Sequence, residues 1–413
     1  MGLTSFFNRK EKGLPEELDL GSELFFQNPY PLYQLLRQHK PVAAVKPAGH
    51  ILTRHRDILE ALSSPSLRNA PSRFSALNSR NSDRYEAARL ANNILPFLDA
   101  PKNQIRRQCL IRAVREHLSE WQPLLDETAA SQMKVYLAGN NQDLISGFSS
   151  PLSLKLMCDF IGLSKTDRIR YKDLSEAFFY LFAPLSDTQK FEQVNLTLRH
   201  FQTELSSLVA ERAERPGTDL ISKLILAEEE GQTLTTQEVI DSCILIFADG
   251  VENVEAGVAN VLAAYHQDAQ AQEMFAAGDL SIEQLVSEGL RLQTPAQFVP
   301  RIANNDIEIC GIHISAETPV FLGLASGNRD EEVFENADKI RPGRAIQDYL
   351  TFGRGAHSCI GSRLAGLQIC AAVKQVLDAD LKPLLPLDQI DFQPRLAHRW
   401  PESYPVKRAS GQA

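Results

Sequence analysis

The stretch Phe352-Gly-Arg-Gly-Ala-His-Ser-Cys-Ile-Gly361 sets one cysteine in a glycine-rich turn just ahead of a helix-forming run. Gly353 and Gly355 allow positive φ and the close approach of another group. Cys359 falls at a helix N-terminus, where free N–H groups and the helix dipole favour a thiolate. A sulfur in that position can serve as a nucleophile or as a metal ligand. On its cysteine and glycines alone, the segment also reads as an ordinary turn with an incidental thiol. A nucleophile would need a paired histidine and oxyanion donors, and no motif supplies them. The other cysteines, Cys109, Cys158, Cys243, Cys310 and Cys370, make no CxxC pair. That removes zinc-ribbon and thioredoxin-like chemistry, and a disulfide framework is not expected at this chain length.

Two further groups could do chemistry. Glu288-Gly-Leu-Arg291 puts opposite charges one helical turn apart, which for an isolated pair most often means a solvated surface contact. Phe247-Ala-Asp-Gly-Val-Glu-Asn-Val254 lies within the strongest helical run and carries Asp249, Glu252 and Asn253 around Gly250. A glycine inside a helix costs about 1 kcal/mol relative to alanine, so Gly250 implies that something lies against the backbone there.

The elements that must position these groups are mostly helical. Periodicity predicts helices at about 30–39, 104–120, 122–139, 151–162, 165–182 and 187–214. The strongest spans Thr236 to His266, with a capping signal at Thr235 or Thr236 ahead of Glu238, and would be ~45 Å long. Others cover Ser281 to Gln293, ending before Pro295, and Ser362 to about Asp378. Pro41 to Thr53 reads as a β-hairpin turning at Pro47-Ala-Gly49, and 296–323 as short strands. Ser72 to Asp83 reads as a surface loop or short helix, and residues 1–30 as a turn-rich extension of a single domain, 1–413. The fold class is mostly α with a minor β region.

Composition narrows the classes. The 413 residues carry 43 Lys plus Arg against 52 Asp plus Glu, a net charge of −9, which argues against a protein that wraps nucleic acid. No stretch approaches the roughly 18 apolar residues of a spanning helix, and the opening residues are too short in apolar length for a signal peptide. A soluble, cytoplasmic protein with no membrane partner is expected.

The order of residues in the cysteine loop is more specific than its composition. Phe-Gly-x-Gly-x-His-x-Cys-x-Gly-x-x-Leu-Ala, met at every defined position by Phe352 to Ala365, resembles the haem-binding signature of the cytochrome P-450 monooxygenases. Glu288 to Arg291 resembles the family's Glu-x-x-Arg helix, and Pro300-Arg301 the proline and arginine beyond it. Ala325 to Asp330, Phe334 and Arg344 resemble the segment before the loop, so the matches run in family order from about residue 99 to 365.

The resemblance implies the cytochrome P-450 fold, one large and roughly triangular domain with haem between the long central helix and the cysteine-loop helix. It implies haem b with Cys359 as axial thiolate, where a thiolate pushes electron density toward bound O2 and favours O–O cleavage. Phe352, Gly353, His357, Arg301 and Arg107 would contact the haem, the cations and N–H donors meeting its propionates. Asn103 stands where the family usually has histidine, which weakens that contact. Glu288, Arg291 and Arg344 would form a structural network. In the central helix the best register matches Gly250 and Glu252, placing Asp249 at the family's alanine and Asn253 at its threonine. Gly250 would then face O2, and Glu252 would supply protons. Asn253 either holds water in place of the hydroxyl, or marks an altered coupling chemistry, or contacts substrate only.

The resemblance further implies a monooxygenase that hydroxylates or epoxidises a small or medium lipophilic molecule in secondary metabolism. The alternatives are oxidative cyclisation or C–N, C–C or C–O coupling in natural-product assembly, and a non-catalytic haem-binding relative. Electrons would come from NAD(P)H through a separate ferredoxin or flavodoxin-type protein, drawn to a basic face of Arg106, Arg112, Arg115, Arg354 and Arg363. A monomer is expected. The pocket would be lined from 72–98, 165–200, 243–254, 294–299 and 397–400, with Phe178, Phe179, Phe182, Leu245, Asp249 and Phe298 as candidates.

Overall fold

The computed structural model describes residues 14–69, 71, 76–163, 168–179 and 188–408. Six helices carry the argument: α1 (Lys102–Trp121), α2 (Ser150–Ile161), α3 (Arg168–Phe179), α4 (Thr236–His266), α5 (Ile282–Leu292) and α6 (Ser362–Asp378). The axis of the molecule is α4, against which α2, α3, α5 and α6 all pack. Its start is a full capping box: Thr235 Oγ1 accepts the Glu238 N–H while Glu238 accepts from the Thr235 N–H at 2.8 Å. Apolar residues occupy every face because α4 is enclosed all round, as a helix hydrophobic on all sides must be. From Val239 to Tyr265 every residue is buried except Asp249, Gly250 and Asn253. With protein on every side, that mid-helix opening faces an interior space.

A six-stranded sheet flanks the helices, from β1 (Glu17–Leu18), β2 (Val42–Val45), β3 (His50–Leu52), β4 (Leu67–Arg68), β5 (Val299–Ala303) and β6 (Pro319–Leu322), in spatial order β1-β2-β3-β6-β5-β4. The expected hairpin is β2–β3, antiparallel with Val42 opposite Leu52. Its turn needs Gly49: φ is +122°, and a Cβ there would lie 2.7 Å from the Pro319 carbonyl oxygen of the neighbouring strand. Strand β6 runs parallel to β3 and antiparallel to β5, which fixes the place of Arg301 opposite Val320. The sheet packs in two smaller apolar clusters, one holding Phe298 and Tyr33, the other Ile58 and Leu350.

The helices expected at 122–139 and 187–214 are observed as Pro123–Ala138 and Thr188–Glu214. That expected at 165–182 is described over 168–179, and its ends fall outside the described residues, as do 72–75 of the expected loop. The strands at Glu17–Leu18 and Leu67–Arg68 and the helices Glu86–Ala91, Leu220–Leu226 and Ala269–Ala277 were not anticipated, being too short for periodicity to register. Among the described residues, no helix is long and apolar enough to cross a membrane.

Candidate active site

Cys359 sits where the loop turns into α6. The loop is held closed by the Cys359 N–H donating to the Phe352 carbonyl at 2.8 Å, and Gly353 reaches φ +64° between them. The backbone N–H groups of Gly361 and Ser362 donate toward the sulfur, while burial and the charge of Asp249 oppose the thiolate. Burial is the largest effect and pushes the thiol up to about 12. A thiol that stays protonated near neutral pH is a poor nucleophile, whereas a metal ion displaces its proton outright. Among the described residues it makes no hydrogen bond to His357, whose Nε2 accepts from Asn69 Nδ2 at 2.7 Å and lies 3.3 Å from Asp99. The metal-ligand alternative is therefore favoured over the nucleophile.

Asp249 on α4 is close enough to raise the Cys359 thiol electrostatically, and both residues are only partly buried within the protein interior. The fold thus brings the sulfur and the break in burial along α4 into one neighbourhood. Two arginines there make no direct ion pair among the described residues, Arg301 feeling only the longer-range charge of Asp99. Arg301, 7% exposed on β5, donates only to the Pro300 carbonyl at 2.8 Å, and burial lowers it to about 10. Arg107 on α1 donates to Ser358 Oγ at 2.8 Å and is likewise lowered by burial. Asn103, one turn earlier on α1, is buried with Oδ1 unpartnered.

These donors test whether haem suits the site. Among the described residues no three His, Cys, Asp or Glu side chains converge as an all-protein metal site would require. A single thiol as protein ligand fits a metal whose other ligands come from a macrocycle. A buried and a half-buried guanidinium group without direct ion pairs among the described residues, Arg301 feeling only the charge of Asp99, fit a group that brings its own carboxylates, since an incompletely compensated buried charge is costly. The residues fit haem. His357 fits less fully than expected, because Asn69 and Asp99 already engage its Nε2.

Three contacts shape the α4 turn. Against Gly250 lies Met157 of α2: a Cβ there would come 2.7 Å from Met157 Cε, so the glycine makes room for that side chain. The Asn253 amide is committed to its own helix, Nδ2 donating to the Asp249 carbonyl at 3.0 Å and to Asp249 Oδ1 at 2.8 Å. Glu252 is 3% exposed and ion-paired with Arg395, a residue near the C-terminus that carries no sequence signal for this role. Burial pushes Glu252 up to about 7 despite that arginine, with Glu255 adding to the rise. Asp249 is pushed by burial up to about 6, opposed only by the Asn253 amide.

The Glu288 network lies behind the loop. Arg291 Nε donates to Glu288 Oε1 at 2.6 Å and Arg344 Nε to Oε2 at 3.1 Å. Two unanticipated donors join them, the Tyr349 hydroxyl at 2.6 Å and the Arg341 N–H at 2.9 Å. Burial acts to raise the Glu288 carboxyl, but these donors outweigh it and hold it below the usual range. The remaining Arg291 N–H groups reach the carbonyls of Asn328, Ala337 and Lys339.

Among the pocket candidates, Phe178 shows no surface to any open space and belongs to the main core, and Phe298 packs on Phe321 with ring centroids 5.4 Å apart. Leu245 is 6% exposed one turn before Asp249. Phe182 and the side chain of Phe179 lie outside the described residues. The basic face is smaller than expected: Arg106 is buried in an ion pair with Glu238, and Arg112 pairs with Glu116 at 3.0 Å. Arg115 and Arg363 are exposed.

The arrangement has close counterparts among known proteins. The family model for cytochrome P-450 matches residues 281–379, the segment from the Glu288 helix through the cysteine loop. Cytochrome P-450 133B2 of Xylella fastidiosa (strain Temecula1) is 31% identical over 87% of this chain and 91% of its own length. The biotin biosynthesis cytochrome P-450 of Bacillus subtilis (strain 168) is 27% identical over 93% of this chain and 97% of its own. The crystal structure of P-450BioI in complex with acyl carrier protein ligated to hexadec-9Z-enoic acid superposes with a TM-score of 0.84 at 25% identity, covering 94% of this chain and 99% of that one. A thiol at the start of α6, on a chain 31% identical to a cytochrome P-450 over most of both lengths, leaves one assignment: this protein belongs to the cytochrome P-450 family and is a cytochrome P-450 monooxygenase.

Proposed function

We propose that this chain holds haem b through Cys359 and oxidises a small or medium lipophilic substrate by hydroxylation or epoxidation. The observation that carries the reading is the nearness of Cys359 to Asp249 on α4, together with Arg107 and Arg301, which make no direct ion pair among the described residues. When bound and reduced, haem supplies the activation of O2. The protein's part is positional. Cys359 gives up its proton to become the ligand, and the Gly361 and Ser362 N–H groups share its charge. Phe352 and Gly353 set the loop that presents it. Arg107 and Arg301 hold the propionates, with His357 and Asn103 beside them. Glu252 holds a proton on its carboxyl near neutral pH, as a general acid should, and Arg395 keeps that carboxyl in place.

Electrons reach the site from NAD(P)H by way of a separate ferredoxin or flavodoxin-type protein docking near Arg115, Arg354 and Arg363. The fatty acyl chain named for the P-450BioI complex is a lipophilic ligand of the class proposed here. A second reading, oxidative cyclisation or coupling, is favoured by one feature. Asn253 replaces a hydroxyl and its amide is spent on Asp249, so that turn offers no hydroxyl relay.

The test is the spectrum of the reduced protein with CO. A red-shifted Soret band of thiolate type is expected for the wild type and for substitutions at Cys109, Cys158, Cys243, Cys310 or Cys370. Cys359→Ser should lose it, and an unchanged spectrum in that variant would end the reading.

A further inference from the structure

A carboxyl group in the middle of a buried helix is expensive. Aspartate is a weak helix former and an ionised carboxylate is costly to take out of water. Asp249 bears both costs within a helix enclosed nearly all round, so a compensating partner is expected. Among the described residues the protein supplies only the Asn253 amide. Asp249 enters no ion pair, and its acidity is shaped by burial and that amide with no cation contributing. Its nearest acidic neighbour on the helix differs in this respect, because Glu252 has Arg395.

Geometry says where the missing partner would come from. Asn253 holds Asp249 by two bonds from one nitrogen, to the carbonyl oxygen and to Oδ1. This clamp fixes the side chain in one rotamer and leaves Oδ2 with no bond to the protein among the described residues. Asp249, Gly250 and Asn253 are the break in burial along α4, and Gly250 is roofed by Met157. The free oxygen therefore lies at this break in burial, near enough to Cys359 for its charge to act on the sulfur. Among the described residues no cation pairs with this carboxyl group.

We propose that Asp249 is a substrate-recognition residue, clamped by the positioning residue Asn253, and that it binds a cationic or N–H-bearing nitrogen group on an otherwise lipophilic substrate. The inference rests on the monooxygenase reading and narrows its substrate class. A charge-assisted contact from a ligand nitrogen to Oδ2 supplies the balance that the protein omits. A substrate carboxylate in the same place would meet like charge and be rejected, which separates this pocket from one built for free fatty acids.

The experiment uses haem-loaded protein and three probes with one tail: decyltrimethylammonium, decanol and decanoate. A quaternary ammonium cannot ligate iron, so its binding reports the pocket. Affinities are read by calorimetry and by the ferric Soret shift. The cation should bind roughly ten- to hundredfold more tightly than decanol, and decanoate most weakly. Asp249→Asn keeps the shape and removes the charge, and should bring cation and alcohol close to parity. Asn253→Ala should reduce the preference by a smaller factor, because the carboxylate stays but loses its fixed rotamer. The reduced-CO spectrum of each variant is recorded alongside: a thiolate-type band shows that the monooxygenase reading survives whatever the affinities do. Equal affinities for the three probes, bound or unbound, overturn the proposal. So does an Asp249→Asn variant whose cation preference is intact but which releases more hydrogen peroxide, since Asp249 would then serve proton supply.

Discussion

Two buried glutamates on neighbouring helices each pair with arginine, and they behave oppositely. Glu288 on α5 accepts from Arg291, Arg344, the Tyr349 hydroxyl and the Arg341 N–H, and Arg291 spends its other donors on three backbone carbonyls. Every polar atom is answered by a fixed partner, so the carboxyl stays charged and is held below its usual range. Glu252 on α4 has one arginine, Arg395, whose side chain is 27% exposed and lies over the Trp400 ring at 5.1 Å. With Glu255 nearby and a single partner, burial prevails and the carboxyl rises to about 7. The residue types are the same. The number and rigidity of the donors decide whether the pair is a brace or a titrating group.

That contrast can be broken at its strong end first. Glu288→Ala should cost about 3–5 kcal/mol, because it leaves Arg291 buried and uncompensated. Little haem-loaded protein is expected, measured as haem per chain and as yield of folded material. A normal yield would show that the network braces nothing.

Glu252→Gln is expected to fold and load haem normally while product formation falls by roughly two orders of magnitude or more, the usual contribution of a positioned general acid. Hydrogen peroxide release per electron consumed should rise. Loss of haem in this variant would make the two pairs alike and remove the distinction.

The smallest effects concern pH. A cation favours the ionised carboxyl, so Arg395→Gln should keep Glu252 protonated to higher pH and move the corresponding limb of the rate profile upward from near 7. Stability carries the same signs. Glu288, held low, contributes stability that is present above the ordinary carboxylate range and lost as pH falls through its folded value. Glu252, held high, contributes most below about 4.5 and loses that contribution as pH rises through 7. Relative to wild type, Glu252→Gln should therefore gain stability between pH 5 and 8 in denaturant unfolding, while Glu288→Gln should lose most at neutral pH. The same trend in both would contradict the comparison.

Legibility followed range. The long helices were readable because one period repeats many times, and Thr235 with Glu238 marks the start of α4 locally. The hairpin was readable from its turn residues. Short strands such as Leu67–Arg68 were not, because two residues hold no period and exist only where β5 offers an edge. Within the site, Cys359 and the Glu288–Arg291 pair stood out through local spacing. Arg395 and the Asn69–Asp99 partners of His357 did not, since each lies far along the chain from the residue it touches.

By itself the sequence determined a mostly helical chain, a cysteine at a helix start between glycines, and an acidic turn inside the longest helix. Those are properties of neighbours along the chain, set by backbone conformation and helical period. Tertiary structure alone decided which acid is braced and which titrates, that Gly250 receives Met157, and that Asn253 clamps Asp249 at an interior opening. Burial and partner geometry set the cost of a charge, and neither quantity exists until distant segments pack together.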